Sequence, residues 1–260
     1  MIDVKFDDGI AVVTLGHGKA NALDIEFCQA MAVLFSQLRD KAEIKAVILT
    51  GQGKMFSAGV DLKRLSDGGM DYVTRFLPTL HALYDAVFFF PKPMIAAING
   101  HAIAGGAVLA ACADRRVMAA EAGKIGLTEL QVGVPLPALA FEIVRAAVPS
   151  RYLSEFALGA GTYVTAEALA KGWVDEVVDG WELMPRALRL AKFQAAMSPE
   201  AFAQTKAQIR QPVADAYAAH GPATDEKVTA IWTKEATLRR VAIYVAKTLT
   251  KTPSAPGSVH

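Results

Sequence analysis

Apolar residues change their spacing several times along the first part of the chain, and each change predicts a new element. Residues 2–6 and 10–15 alternate or run apolar on either side of Asp7-Asp8-Gly9, which is typical of a β-hairpin. Residues 46–50 and 94–98 form two short apolar runs. Such runs predict strands that are covered on both faces, as in a parallel sheet with helices outside.

Helical spacing lies between and after these runs. Asp24 is a typical N-cap for a helix that continues to Arg39, and further helices are predicted over 71–90 and 105–113, with a strand at 116–119. Beyond Pro149 the pattern is mostly helical apart from one extended piece. The helices are predicted at 153–158, 166–171, 185–197, 199–209 and 225–249, and the extended piece at 173–178.

This order of elements predicts an α/β core over residues 1–195, followed by a helical region over residues 196–260. The segment 51–69 is rich in glycine, serine and lysine and is predicted to be a functional loop. Residues 252–260 are predicted to be a disordered tail.

Composition excludes several classes of function. The 27 basic and 26 acidic residues leave a net charge of +1, so no nucleic-acid partner is expected. The N-terminus has no basic, apolar signal sequence, and the longest apolar stretch, 94–113, is interrupted by Asn99, His101 and three glycines. We therefore expect a cytoplasmic protein without a membrane partner. Cys28 and Cys112 have no metal-ligand spacing, so no metal is expected.

Two glycine-containing turns, at 56–62 and 99–106, each follow a predicted buried strand. Glycine permits positive φ and close approach of a ligand, and a turn that opens a helix has unpaired N–H groups. Two such turns side by side can direct two N–H groups at one oxygen, as in an oxyanion hole. Purely structural turns are the alternative. Neither turn matches a nucleotide-phosphate loop.

Five ordered motifs extend the pattern beyond these two turns. They are KANAL at 19–23, AVILTG at 46–51, KPMIAAINGHAIAGG at 92–106, IGLTELQVGVP at 125–135 and TAEALAKGWVDEVV at 165–178. Together they resemble the crotonase (enoyl-CoA hydratase/isomerase) superfamily over about the first 180 residues. The resemblance implies a spiral of repeated β-β-α units with a C-terminal helical region. That region would close the acyl pocket and form a homotrimer or a dimer of trimers.

The resemblance also implies roles for individual residues. The backbone N–H groups of Val60 and Gly105 would form an oxyanion hole for an acyl-CoA thioester. The residues expected along the bound acyl-CoA are Lys19, Ala20, Ala58, Asp61, Leu62 and Lys63. Lys63 is either a partner for a CoA phosphate or a solvated loop lysine. Coenzyme A is part of the substrate, so no separate cofactor is expected.

The number of glutamates in the expected site distinguishes between two reactions, hydration and isomerisation. Hydratases of the superfamily resemble one another in using two glutamates, because adding water requires one group to activate it and one to deliver a proton. The first position falls on Val108 in this sequence, whereas the second matches Glu129. This pattern resembles the Δ3,Δ2-enoyl-CoA isomerases, in which one base moves a proton from the α-carbon to the γ-carbon.

Other interpretations remain open at this level. Glu129 could be a surface carboxylate at a turn. A second acid could come from elsewhere and make the protein a hydratase or hydrolase; the candidates are Asp61, Asp67, Asp71 and Glu142. The chain could also be a non-catalytic acyl-CoA-binding relative. His101 adjoins the second turn and is interpreted as a packing or hydrogen-bonding residue rather than a base.

Overall fold

The computed structural model describes residues 1–249. The tail predicted at 252–260 lies outside these residues, as does the end of the helical region predicted at 196–260. Within the described range, no helix is both long enough and apolar enough to cross a membrane.

In residues 1–249, ten strands form two sheets. The strands are β1 Ile2–Asp7, β2 Ile10–Leu15, β3 Ala46–Gly51, β4 Met55–Ser57, β5 Met94–Ile98, β6 His101–Ile103, β7 Arg115–Ala119, β8 Lys124–Gly126, β9 Tyr163–Val164 and β10 Glu176–Val178. The larger sheet has the order β1-β2-β3-β5-β7-β10 and is parallel except for the β1–β2 hairpin. Every residue of β3 and β5 is buried, which confirms the prediction from their apolar runs.

The helices cover these sheets and extend beyond them. They are α1 Ile25–Asp40, α2 Leu62–Phe88, α3 Gly105–Ala111, α4 Glu129–Val132, α5 Ala138–Ala147, α6 Ser150–Gly159, α7 Thr165–Ala170, α8 Leu183–Ala195, α9 Pro199–Trp232 and α10 Glu235–Leu249. Asp24 caps α1 as predicted, because its carboxylate accepts a hydrogen bond from the Phe27 N–H at 2.8 Å.

The β-β-α repeat follows from the order of these elements. The chain runs through β3-β4-α2, then β5-β6-α3, then β7-β8-α4. The first strand of each unit joins the larger sheet, and the second joins a smaller sheet of order β4-β6-β8-β9. Each unit therefore passes from one sheet to the other before its helix begins. The first turn of each of these helices consequently lies next to the smaller sheet.

Several predicted boundaries are wrong. The segment 51–69 is not a simple loop, since it contains β4 and the start of α2, which begins at Leu62 rather than near residue 71. Alpha-helix α2 bends at Gly69, whose φ of 57° and ψ of −148° are not helical. Strands β4 and β6 were missed because three residues are too few to show a strand period.

The C-terminal helices also differ from the prediction. Helix α9 runs unbroken for 34 residues through Pro212 and Pro222, although a gap was predicted at 210–224. Each proline removes one backbone donor and normally breaks a helix. Packing overrides this preference here, because α9 lies along α5 and buries Val213 and Val228. Helix α5 was not predicted at all.

Candidate active site

The first turn presents an unpaired N–H at Val60. An isolated parallel bridge joins this segment to Leu23: the Leu23 N–H donates to the Gly59 carbonyl at 2.8 Å, and the Asp61 N–H donates to the Leu23 carbonyl at 3.0 Å. Successive N–H groups of an extended chain point in opposite directions. The Val60 N–H therefore points away from Leu23, and it has no hydrogen-bond partner among the described residues.

The second turn presents the N–H of Gly105. Gly105 is the first residue of α3, where backbone N–H groups lack partners within the helix. The preceding residue, Ala104, has a φ of 53° and a ψ of −127°. This conformation is unfavourable for alanine, and its N–H is fixed by a 2.8 Å hydrogen bond to the Gly126 carbonyl. In the described part of the chain the Gly105 N–H also has no partner.

The two turns are in direct contact. Gly59 has a φ of 79°, and a Cβ atom placed on it would lie 2.8 Å from the Gly105 nitrogen. Gly106 touches the first turn as well, since a Cβ on it would lie 2.2 Å from the Ser57 carbonyl oxygen. Only glycine allows this approach. Two neighbouring N–H groups without protein partners can together bind one acceptor oxygen.

Residues 19–23 hold the first turn in place. The Asn21 side-chain amide donates to the carbonyls of Met55 and Phe56 at 3.1 and 3.2 Å, and the Ser57 hydroxyl donates to the Asn21 carbonyl at 2.7 Å. The Ala58 N–H donates to the Ala20 carbonyl at 2.9 Å. This motif therefore shapes the turn, a role that sequence reasoning missed. Lys19 itself is exposed.

Glu129 is a buried carboxylate at the start of α4. It is 9% exposed, so it is not a surface carboxylate at a turn. The Thr128 N–H donates to Oε2 at 2.9 Å. Burial raises the pKa of Glu129 from 4.5 to about 7, and the backbone N–H groups of Thr128 and Glu129 oppose that rise only in part. The side chain is therefore ready to accept or release a proton near neutral pH.

A cavity of about 430 Å³ joins Glu129 to the first turn and to the C-terminal helices. Six residues expected from the sequence line it: Ala20, Ala58, Val60, Asp61, Leu62 and Lys63. Trp232, Tyr244 and Val245 line it from α9 and α10, which belong to the helical region expected to close the acyl pocket. Lys63 lies in the wall but is mostly exposed and forms an ion pair with Asp67.

A second cavity of about 480 Å³ also has Glu129 in its wall. Leu127, Leu130 and Leu136, which are close to Glu129 in sequence, line it. Glu142 of α5 lies in the same wall and forms an ion pair with Arg145 at 3.4 Å. Glu129 therefore lines both cavities.

The other positions considered for an acid or a base differ from Glu129 in their surroundings. Val108 is fully buried in α3. Asp61 caps α2, since its carboxylate accepts from the Arg64 N–H at 3.0 Å, and Asp67 and Asp71 are exposed. His101 accepts a 3.2 Å hydrogen bond from the Lys124 N–H, as expected of a hydrogen-bonding residue. Among residues 1–249, no group of three or more histidine, cysteine, aspartate or glutamate side chains could hold a metal ion.

The raised pKa of Glu129 has a consequence for stability. Between pH 4.5 and about 7 the folded protein holds a proton on Glu129 that the unfolded chain has released. Raising the pH through this window therefore destabilises the fold, by about 3 kcal/mol in total. We expect the stability of Glu129→Gln relative to the unmodified protein to increase from pH 5 to pH 8. Urea unfolding of both proteins at the two pH values checks this, and a pH-independent difference would contradict it.

Two sheets linked by β-β-α units place two touching turns, whose N–H groups have no partner in the described chain, and a buried carboxylate in a site that can bind an oxyanion and move a proton. The chain belongs to the enoyl-CoA hydratase/isomerase family, whose family model matches residues 5–247. Carnitinyl-CoA dehydratase from Salmonella paratyphi B is 34% identical over 213 residues, which are 80% of this chain and 81% of that protein.

Two solved structures that resemble this chain are named for different reactions. An enoyl-CoA hydratase from Mycobacterium marinum has a TM-score of 0.79 and 28% identity, over 87% of this chain and 99% of that one. Human mitochondrial Δ3-Δ2-enoyl-CoA isomerase has a TM-score of 0.90 over 95% of this chain and 98% of that one. Its identity is 24%, so this likeness shows the fold alone. The relatives differ in the reactions they are named for.

Proposed function

We propose that the protein is an enoyl-CoA isomerase that converts 3-enoyl-CoA to 2-enoyl-CoA. The observation that supports this most is the pairing of a buried Glu129, with its pKa raised to about 7, and a fully buried Val108. A double-bond shift needs one group to remove and return a proton, whereas hydration needs two. Coenzyme A enters as part of the substrate.

In the proposed mechanism the thioester oxygen accepts hydrogen bonds from the N–H groups of Val60 and Gly105. Glu129 removes a proton from the α-carbon, and the electrons move into a dienolate whose charge lies on that oxygen. Each N–H donor stabilises this charge by about 3 kcal/mol. Glu129 then returns the proton to the γ-carbon, which places the double bond between the α- and β-carbons.

The acyl-CoA is proposed to follow the wall of the first cavity. Ala20, Ala58 and Leu62 would contact the thioester arm because they lie beside the free N–H of Val60. Lys63 and the exposed Lys19 would meet the phosphates at the rim. Lys63 would have to exchange its ion pair with Asp67 for a phosphate contact. Such an exchange costs little, because surface ion pairs contribute at most about 1 kcal/mol.

One observation favours hydration as a second candidate. Glu142 lies in the wall of the second cavity together with Glu129, so two carboxylates border one space. Glu142 could then deliver the second proton. This role would require Glu142 to leave its 3.4 Å ion pair with Arg145.

The two reactions separate in one assay. We expect purified protein to form 2-enoyl-CoA from a 3-enoyl-CoA and to hydrate crotonyl-CoA slowly, with the absorbance of the conjugated thioester followed in both. Rapid hydration of crotonyl-CoA that is lost in Glu142→Gln would instead support the hydratase. Binding of acyl-CoA without turnover of either substrate would favour the non-catalytic relative.

The homotrimer or dimer of trimers stays a prediction. Large apolar side chains that are mostly exposed on the described surface are available to such contacts. They include Leu158, Trp181, Phe193 and Ile209.

A further inference from the structure

The segment 133–137 links the helix that carries Glu129 to α5. It begins at Gly133, whose φ of 85° ends α4. The Val134 N–H donates to the Glu129 carbonyl at 3.1 Å, so the segment is tied directly to the backbone of the carboxylate residue. Val134 lines the first cavity and Pro135 lines the second. A displacement of this segment would therefore change both cavities and the position of Glu129.

Helix α9 holds this link by two hydrogen bonds, one to Pro135 within the segment and one to Ala138, the first residue of α5. The Trp232 indole N–H donates to the Pro135 carbonyl at 2.9 Å, and the Asp225 carboxylate accepts from the Ala138 N–H at 2.8 Å. These residues are seven positions apart, which is two helical turns, so they lie on one face of α9. Trp232 is 2% exposed, and the other Asp225 oxygen accepts from the Tyr217 hydroxyl at 3.0 Å.

Helix α4 depends on such support. It has four residues, whereas isolated helices shorter than about 12 residues are marginal in water. The carboxylate of Glu129 is held by the backbone N–H groups of Thr128, the N-cap of this short helix, and of Glu129 itself. The position of the carboxylate therefore depends on the contacts that fix the two ends of α4. The C-terminal end of α4 continues into the segment that is hydrogen-bonded to α9.

We propose that Trp232 and Asp225 are positioning residues that hold Glu129 in its reactive place through the segment 133–137 and the first residue of α5, Ala138. This inference rests on the proposed role of Glu129 as the base. Helix α9 then does more than line the cavity. It fixes the position of Glu129 by hydrogen bonds to the backbone that follows α4. A shift of about 1 Å in a reacting group can cost as much as about 100-fold in rate.

Trp232→Phe removes the indole N–H and keeps an aromatic ring. We expect kcat for the 3-enoyl-CoA to fall at least about tenfold. KM is expected to stay within about twofold, because an aromatic ring still lines the first cavity. Water that enters beside a loosened α4 lowers the pKa of Glu129 toward its ordinary value, so the acidic limb of the kcat profile moves to lower pH. A loss of packing alone would lower thermal stability without moving this limb.

Trp173→Phe is the matched control. Trp173 is fully buried, packs against Phe156 with ring centroids 4.8 Å apart, and lines neither cavity. Its indole N–H has no partner among the described residues. This variant loses a similar packing volume but no hydrogen bond to the segment. Its kcat and pH profile are expected to match those of the unmodified protein, and equal effects in both variants would overturn the proposal.

Hydrogen exchange separates this inference from the proposed function. Amide exchange over 129–138 is expected to accelerate in Trp232→Phe and in Asp225→Ala, but not in Trp173→Phe. Asp225→Asn keeps an acceptor oxygen and is expected to restore most of the protection. Faster exchange with unchanged kcat overturns the positioning role alone. If the unmodified protein isomerises no 3-enoyl-CoA, the proposed function fails first, and the exchange pattern still reports whether α9 holds the segment.

Discussion

Glu129→Gln is expected to lower the kcat for isomerisation by about three to four orders of magnitude. The amide has nearly the same shape and cannot take up the α-proton. Since the thioester contacts lie on other residues, acyl-CoA binding is expected to persist. Steady-state kinetics with a 3-enoyl-CoA, together with calorimetric binding of a saturated acyl-CoA, measure the two effects separately.

Glu142→Gln is the matched control for this change. Both glutamates line the second cavity, and both changes remove one carboxylate. For a single-base isomerase, only the Glu129 change abolishes turnover. A large loss from Glu142→Gln, or full activity in Glu129→Gln, would contradict the assignment of the base.

Gly59→Ala is expected to lower kcat by about 100- to 1,000-fold, which is the cost of losing one oxyanion donor. The added methyl group would lie 2.7 Å from the Ile103 carbonyl oxygen and 2.8 Å from the Gly105 nitrogen. Both atoms belong to the backbone, so the two turns must move apart. The N–H groups of Val60 and Gly105 could then no longer bind one oxygen. Kinetics with a 3-enoyl-CoA measures the loss.

Gly53→Ala controls for backbone strain. Gly53 has a φ of 68°, close to the 79° of Gly59, but a Cβ on it meets no atom within 4 Å. Both variants place alanine at positive φ and carry a comparable strain. The difference between their kcat values therefore reports the contact with the second turn. Retention of full activity in Gly59→Ala, with the fold intact by circular dichroism, would exclude the proposed oxyanion hole.

The buried strands and the site candidates were accessible from sequence for different reasons. Strands β3 and β5 are covered on both faces, so their apolar runs identify them directly. Val60, Gly105 and Glu129 came from motifs that resemble one family, and the structure brings the two turns into contact and buries Glu129. Their catalytic roles stay predictions until the variants above are measured.

Other features gave no local signal. Strand β6 has three residues, and α9 continues through Pro212 and Pro222 where it packs along α5. The hydrogen bond from the Trp232 indole to the Pro135 carbonyl joins residues that are 97 positions apart in the sequence. A local pattern cannot report a contact over such a distance, because nothing in either neighbourhood specifies the other.

The α/β class, the buried parallel strands and the two glycine turns could be predicted from the sequence alone, and its motifs pointed to Glu129 as the candidate base. Each of these depends on residues close together in the chain, where side-chain type and spacing act directly. Folding brings the two turns into contact and places Glu129 beside two cavities, where burial raises its pKa to about 7. It also brings Trp232 of α9 to the segment that follows α4. Burial and contact between distant segments produce these properties, and both arise only when the chain has folded.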